Sequence, residues 1–210
     1  YGVNILGGTG YINGIAIKNC RIIGSSNTTA TTGINCGSSS APFASEDLLV
    51  ANNLIEKCAN GIIIASNALY HAGTIIRDNV IGSTLHENFV TCVGIQVSGI
   101  ATGQISGNRI FNIDTDEAWS VYGIKTGNYV DGLLIEKNLV YNIISRTLNY
   151  GAAGIELSGS NTVNSISLIN NVIHTIHSTN SSASSMVNNP FGIVVRGGTG
   201  IQIMYNSVHL

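Results

Sequence analysis

Short apolar runs alternate with polar connections along the whole chain and recur at a nearly constant spacing. One run has the form apolar-x-x-Asn-x-apolar, and its asparagine falls at Asn53, Asn79, Asn108, Asn138, Asn171 and Asn206. An earlier copy, Ile17–Ile22, has Cys20 in the asparagine position. Successive copies are 26 to 35 residues apart. The chain is therefore a repeat whose unit is constant and whose connections vary in length.

A second motif, a glycine followed by alternating apolar residues, precedes every copy of the first. Its glycines are Gly2, Gly33, Gly61, Gly94, Gly123, Gly154 and Gly192. A third apolar element follows the asparagine and ends at Cys58, Ile113, Ile143 and Ile176. Each element alternates with period two over a few residues only, which predicts three short strands per unit and no helix.

Three short strands in a unit of about thirty residues predict an all-β parallel solenoid, in which each coil bonds to its neighbours about 4.8 Å away. We expect one domain over residues 1–210 with about seven coils. The repeated asparagines then have a structural role, because an inward amide can satisfy the backbone groups of a tight turn and bond to the next coil. Asparagine also tolerates the left-handed backbone of such a turn, and the repeated glycine is expected to serve the neighbouring corner for a similar reason.

The quoted copies resemble the parallel β-helix repeats of the pectate-lyase-like superfamily. This resemblance implies a right-handed helix, and the family includes pectin-degrading lyases and hydrolases, surface adhesins and phage tailspikes. The strings N-T-D, D-D, G-H-G and R-I-K of its polygalacturonase-type hydrolases do not occur in this chain. Outward strand positions carry only Lys125 and Glu156 as isolated charges. Both pectinase chemistries are therefore poorly supported.

Composition excludes several classes of function. Charged residues are 10% of the chain and the formal net charge is −2, so there is no basic surface for nucleic acid. No apolar run approaches the roughly 18 residues of a spanning helix, and we expect no membrane insertion. The four cysteines, which we expect to be buried and unpaired, have no zinc-type spacing: Cys20, Cys36, Cys58 and Cys92. Because a repeat copy begins at Gly2, we expect a segment of a longer protein with flanking domains.

Candidate chemistry lies in the loops that follow the third strand. Glu87, Asp116 and Arg146 each come eight residues after a repeat asparagine, so loops in phase would stack them on successive coils. Other polar and aromatic residues are expected nearby: His86, Asp114, Glu117, Trp119, Tyr150 and His177.

These residues allow two interpretations. Two acids could act as proton donor and base on a glycosidic bond or as calcium ligands, while Trp119 stacks on a sugar ring. In the second interpretation they are solvated loop charges, with Glu117 or Asp116 paired weakly to Arg146. We assign no catalytic residue and no metal ligand, and keep Glu87, Asp116, Glu117 and Arg146 as catalytic candidates. The predicted ligand-binding residues are Trp119, Tyr150, Asp114 and His86.

The sequence thus predicts a non-catalytic β-helix scaffold or glycan-binding module of a secreted or surface protein, with a polysaccharide or cell-surface glycan as partner. The alternative is a polysaccharide lyase or glycoside hydrolase that acts at the loop edge of coils 3 to 6. No cofactor is predicted, and calcium at the acidic loops stays an open alternative.

Overall fold

The computed structural model describes residues 2–6, 11–25, 31–38, 44–67, 71–159, 165–179 and 188–210. Three parallel sheets of seven strands each wrap around one apolar interior, so the chain forms an all-β solenoid of six to seven turns. We number the coils 1 to 7 from the N-terminus. Each coil contributes one strand to sheet 1, then one to sheet 2, then one to sheet 3.

Sheet 1 comprises the strands Val3–Ile5, Thr32–Ser38, Asn60–Ser66, Val93–Val97, Val121–Thr126, Ala152–Leu157 and Pro190–Val195. Sheet 2 comprises Ala16–Lys18, Leu49–Ala51, Thr74–Arg77, Gly103–Ser106, Leu133–Glu136, Ser167–Ile169 and Gln202–Met204. Sheet 3 comprises Arg21–Ile23, Leu54–Glu56, Val80–Ile81, Arg109–Thr115, Leu139–Ser145, Val172–Ser178 and Ser207–His209.

Two small elements complete the described chain. Strands Tyr11–Asn13 and Ala44–Glu46 pair in parallel between sheets 1 and 2, and a single 3₁₀ turn spans His86–Asn88. The third apolar element of the sequence is not a separate strand. It is the second half of the sheet 3 strand, which bends at Asn112, Asn142 and Thr175, where φ is 53° to 56°.

The repeat asparagines form one buried column at the corner between sheets 2 and 3, as predicted. Asn108 Nδ2 donates to Asn138 Oδ1 at 3.0 Å and to the Ile76 carbonyl of the coil below at 2.9 Å. Its own Oδ1 accepts from the backbone N–H of Asn79 at 3.0 Å and from Asn79 Nδ2 at 2.9 Å. The same bonds run from Asn53 to Asn206, so the inward amides satisfy the turns of successive coils.

The left-handed residue of this corner is not the asparagine. It is the residue before it in every coil, with φ between 54° and 64° at Asn19, Asn52, Asp78, Gly107, Lys137, Asn170 and Tyr205. The side chain at this point is free to vary, because the amide that follows makes the inward bonds.

The repeated glycines serve close packing instead of a left-handed turn, which corrects the expectation from the sequence. None of the seven has a positive φ. A Cβ at Gly94 would lie 2.5 Å from Ile110 Cγ2 and 2.6 Å from the Gly123 carbonyl oxygen. Sheet 1 therefore approaches the branched side chains of sheet 3 too closely for any residue but glycine.

The interior is filled by stacked Ile, Val and Leu side chains, with Cys36 and Cys58 among them. All four cysteines are free, and Cys20 is exposed and Cys92 half-buried, so the expectation that all are buried is wrong for these two. Burial raises the pKa of the Cys36 thiol to about 11 and that of Cys58 to about 12. Within the described residues, no helix is long and apolar enough to cross a membrane.

Candidate functional site

The loops from sheet 3 to sheet 1 carry most of the candidate residues. The loop of coil 3 holds the 3₁₀ turn His86–Asn88 and is bonded to the coils on both sides. Lys57 N–H donates to the Asn88 carbonyl at 2.8 Å, and Asp114 N–H donates to the Val90 carbonyl at 3.0 Å. These backbone bonds fix the loop against the neighbouring strands.

Asp114 and Arg146 form the main ion pair of this edge. Strands Arg109–Thr115 and Leu139–Ser145 are in register, so the chain leaves both strands at the same level. Arg146 Nε donates to Asp114 Oδ1 at 2.8 Å and Nη2 donates to Oδ2 at 2.6 Å. The Asp114 side chain is only 5% exposed. Its hydrogen bonds and charge raise the pKa of Arg146, so this side chain is a permanent cation.

Asp116 and Glu117 lie at the rim beside this pair. The Asp116 side chain is 79% exposed and its Oδ1 is 3.8 Å from Arg146 Nε. Glu117 is exposed, and its backbone N–H donates to Thr115 Oγ1 at 3.1 Å. The principal partner of Arg146 is thus Asp114, and the expected pairing with Asp116 or Glu117 is reduced to the long Asp116 contact.

A cleft of about 140 Å³ lies over these residues. Four of the candidates from the sequence line it together: His86, Asp114, Asp116 and Glu117. Phe89, Thr91 and Thr115 complete the wall. Asp116 and Glu117 are exposed beside the paired Asp114 carboxylate, so the cleft is anionic, while Phe89 contributes an apolar part of its wall.

Trp119 is bonded to a residue of this cleft and lines a second pocket. Its indole Nε1–H donates to the Thr91 carbonyl at 2.9 Å, and the half-buried ring packs against the apolar core. The second pocket, of about 190 Å³, is lined by Trp119, Ala59, Asn60 and Cys92. A locked indole that lines an apolar pocket next to an acidic cleft suits a ligand that is itself part polar and part apolar.

The remaining candidates lie apart from the cleft. Glu87 is exposed on the 3₁₀ turn, and this inserted turn takes it out of the eight-residue phase that Asp116 and Arg146 share. Tyr150 contributes its backbone carbonyl to Ser178 Oγ at 2.9 Å. His177 is exposed, and it pairs in register with Ile144. None of the three lines either pocket.

Two charges of sheet 1 are not isolated, contrary to the expectation for Lys125 and Glu156. These residues are register partners on neighbouring coils, and Lys125 Nζ is 3.4 Å from Glu156 Oε1. Arg196 Nε donates to Glu156 Oε2 at 2.8 Å. The sequence did contain a signal for this cluster, because Lys125 and Glu156 each stand two residues after the repeat glycine of their own coil. No feature of the sequence indicated that Asn60 and Cys92 would line the pocket beside Trp119.

Calcium does not match the contacts of the acidic loops. Both Asp114 oxygens accept from Arg146, although calcium requires six to eight oxygen ligands. Among the residues that the structure describes, no three or more His, Cys, Asp or Glu side chains are placed to hold a metal ion.

Comparison with known proteins identifies the fold. No protein-family model matches the chain, and no curated protein matches it. Among solved structures, it is similar to DFA-IIIase from Arthrobacter chlorophenolicus A6 in complex with GF2, with a TM-score of 0.50 and 12% identity over 85% of this chain and 42% of the other. It is also similar to a mutant of that protein in complex with DFA-III, with a TM-score of 0.54 and 13% identity over 96% of this chain and 56% of the other. This chain spans about half the length of those structures, and the likeness establishes a right-handed parallel β-helix.

Proposed function

We propose that this chain is a glycan-binding β-helix module of a secreted or cell-surface protein, and that the glycan binds at the edge of coils 3 to 5. One observation carries the proposal, namely that the Trp119 indole lines a mainly apolar pocket while its N–H is bonded to Thr91, a residue of the neighbouring acidic cleft. A sugar ring has an apolar C–H face and a polar rim of hydroxyl groups. It therefore needs an aromatic surface and polar groups side by side.

The Trp119 ring is held in place before any ligand arrives. Its N–H is bonded to the Thr91 carbonyl and its ring contacts buried side chains, so little side-chain entropy is lost on binding. The Arg146 guanidinium is similarly held by both Asp114 oxygens. A binding edge with these parts is rigid, as the scaffold role requires.

The charge of the cleft limits the class of glycan that can bind there. The charges of Asp114 and Arg146 cancel, whereas Asp116 and Glu117 leave the cleft negative. A polymer of uronic acids would bring its carboxylates against these two, and like charges at short range repel. We therefore propose a neutral or amine-bearing glycan as the ligand.

A glycoside hydrolase is the second candidate, and two observations favour it. The similar solved structures are of an enzyme, DFA-IIIase, in complex with GF2 and, as a mutant, with DFA-III. Asp114 and Asp116 also approach the same Arg146 Nε, at 2.8 and 3.8 Å, so two carboxylates lie close together at this edge, as the chemistry of glycoside hydrolases requires. Against catalysis by Asp114, both its oxygens are occupied by Arg146. An acid and base pair would therefore have to come from Asp116 and Glu117.

A single set of measurements tests both candidates. Calorimetry with neutral oligosaccharides is expected to give micromolar to millimolar binding to the wild type, at least tenfold weaker binding to Trp119→Ala, and unchanged binding to a matched variant outside the edge, Tyr205→Ala. Equal binding by the wild type and Trp119→Ala would contradict the proposed site. Incubation of the same oligosaccharides with the wild type and Asp116→Asn/Glu117→Gln, followed by mass spectrometry, separates the candidates. Cleavage that the double substitution abolishes would favour the hydrolase.

A further inference from the structure

The pocket beside Trp119 differs in character from the acidic cleft. It has a volume of about 190 Å³, and three of its four lining residues are apolar: Trp119, Ala59 and Cys92. Burial raises the pKa of the Cys92 thiol, although the charge of Lys125 opposes this shift. The thiol is therefore neutral at physiological pH and acts as a small apolar surface.

Asn60 is the one polar side chain that lines this pocket among the described residues. It opens a sheet 1 strand, where its backbone N–H donates to the Thr31 carbonyl at 3.0 Å. Its Nδ2 has a long contact of 3.4 Å with Thr32 Oγ1. No hydrogen bond within the described chain engages Asn60 Oδ1. The pocket thus offers three apolar surfaces and one amide oxygen that can accept a hydrogen bond.

This combination matches an acetamido group. Such a group has a methyl that needs an apolar surface and an N–H that needs an acceptor. A hydroxyl group in its place would leave the apolar walls unfilled, and an ammonium group would have to shed its water there. The size also agrees, because the pocket holds an acetamido group together with part of the ring that carries it.

We propose that the pocket of Ala59, Asn60, Cys92 and Trp119 binds the acetamido group of an N-acetylated sugar. The methyl packs between Cys92, Ala59 and the indole, and the N–H donates to Asn60 Oδ1. The sugar ring lies over Trp119, with its hydroxyl groups toward the cleft of Asp116 and Glu117. This assignment rests on the proposed glycan-binding function and specifies the sugar class that the edge selects.

The test compares three tetramers on the unmodified chain by calorimetry: N-acetylglucosamine, its deacetylated form glucosamine, and glucose, all in the same β-1,4 linkage. The N-acetylated tetramer is expected to bind at least tenfold more tightly than the other two. Equal or tighter binding of the glucose or glucosamine tetramer would overturn the acetamido assignment and leave glycan binding intact. No binding of any of the three, nor of the oligosaccharides used above, would refute the proposed function itself.

Two variants then locate the contact. Asn60→Leu keeps the volume and removes the acceptor, and Cys92→Phe fills the pocket. Both are expected to lower the affinity for the N-acetylated tetramer at least tenfold and so to remove its preference over the glucose tetramer. Gln96→Leu, a half-buried substitution on the same sheet outside the pocket, is the matched control. If neither variant changes the preference for the acetylated tetramer while thermal unfolding shows that both are folded, the pocket is not the recognition site.

Discussion

The corner between sheets 2 and 3 and the edge between sheets 3 and 1 belong to the same coils but differ in almost every respect. At the corner, two residues connect the strands in every coil, one left-handed and one an inward amide or, in coil 1, Cys20. At the edge, the connections run over residues 57–59, 82–92, 116–120 and 146–151. The corner repeats the same hydrogen bonds, whereas the edge brings together His86 of coil 3, Asp114 and Trp119 of coil 4, and Arg146 of coil 5.

This difference shows how a solenoid divides its tasks. A coil that is fixed at one corner by buried amides, and along sheet 1 by close-packed glycines, can accept loops of any length at the remaining edge. Function can then change without loss of the tube. If this division is correct, substitutions at the corner will cost stability, and substitutions of exposed residues at the edge will cost binding.

The largest effect is expected from Asn108→Ala, in the middle of the amide column. The change leaves the Ile76 carbonyl, Asn138 Oδ1 and the Asn79 N–H groups short of buried partners. We expect the free energy of unfolding to fall by about 4 kcal/mol, measured by urea denaturation. Asn206→Ala, at the half-exposed end of the column, should cost about 1 kcal/mol because water can replace the amide. Equal losses at the two positions would refute the buried-column explanation.

Gly94→Ala tests whether the repeated glycines of sheet 1 are required for close packing against sheet 3. The added Cβ would meet Ile110 Cγ2 and the Gly123 carbonyl at 2.5 and 2.6 Å, so the strands must separate. We expect a loss of about 3 kcal/mol in the same assay. Gly127→Ala is the control, since its Cβ would meet Ser98 Cβ at 3.1 Å and no backbone atom closer than the Val97 carbonyl oxygen at 3.8 Å, and it should cost about 1 kcal/mol or less.

At the loop edge, Arg146→Met is expected to cost about 2 kcal/mol, because the buried Asp114 carboxylate loses both its donors. Asp116→Asn should cost about 0.5 kcal/mol or less, since that carboxylate is exposed and its contact with Arg146 is long. A stability loss at Asp116 as large as that at Arg146 would mean that the rim is part of the structural framework.

The smallest effect on stability is expected from a change of pH, which acts through a histidine at the third corner, between sheets 1 and 2. His71 is fully buried there, and its Nδ1 accepts from the Ser45 backbone N–H at 3.2 Å and contacts Ser45 Oγ at 2.8 Å. Burial lowers the pKa of His71 below its unfolded value of about 6.5. As the pH is lowered, the unfolded chain therefore binds a proton at His71 before the folded chain does. The free energy of unfolding has its full value above about pH 6.5 and decreases as the pH falls below that value. Urea denaturation between pH 8 and 5 should show this loss in the wild type, and His71→Gln should lack that component.

The sequence predicted the amide column well and the turn before it poorly. An inward amide is needed in six of the seven coils, so the same letter recurs at Asn53 to Asn206. The left-handed position before it is filled by Asn, Asp, Gly, Lys and Tyr, and no single letter marks it. The glycine repeat was visible, but its cause is contact with sheet 3, which depends on the closure of the tube.

The loop edge was predictable only where the strand register continues into the loop. Asp116 and Arg146 lie close together because the strands before them end at paired residues, Thr115 and Ser145. The sequence indicates this, since each lies eight residues after its repeat asparagine. Glu87 departs from this phase because its loop contains the 3₁₀ turn. The bond between Arg146 and Asp114 was missed because the arginine side chain reaches back by two residues, and a count along the repeats does not detect that offset.

The level stacking of equivalent residues makes the length of the tube adjustable. Val93 lies above Asn60, and Tyr122 lies above Val93, in one column of sheet 1. Excision of residues 93–121, with Cys92 joined to Tyr122, would remove one coil. Every later coil would move down the helix axis by one coil, and Asn138 would then stack directly on Asn79. Gene duplication or deletion in whole turns can thus lengthen or shorten such a protein without redesign of its cross-section.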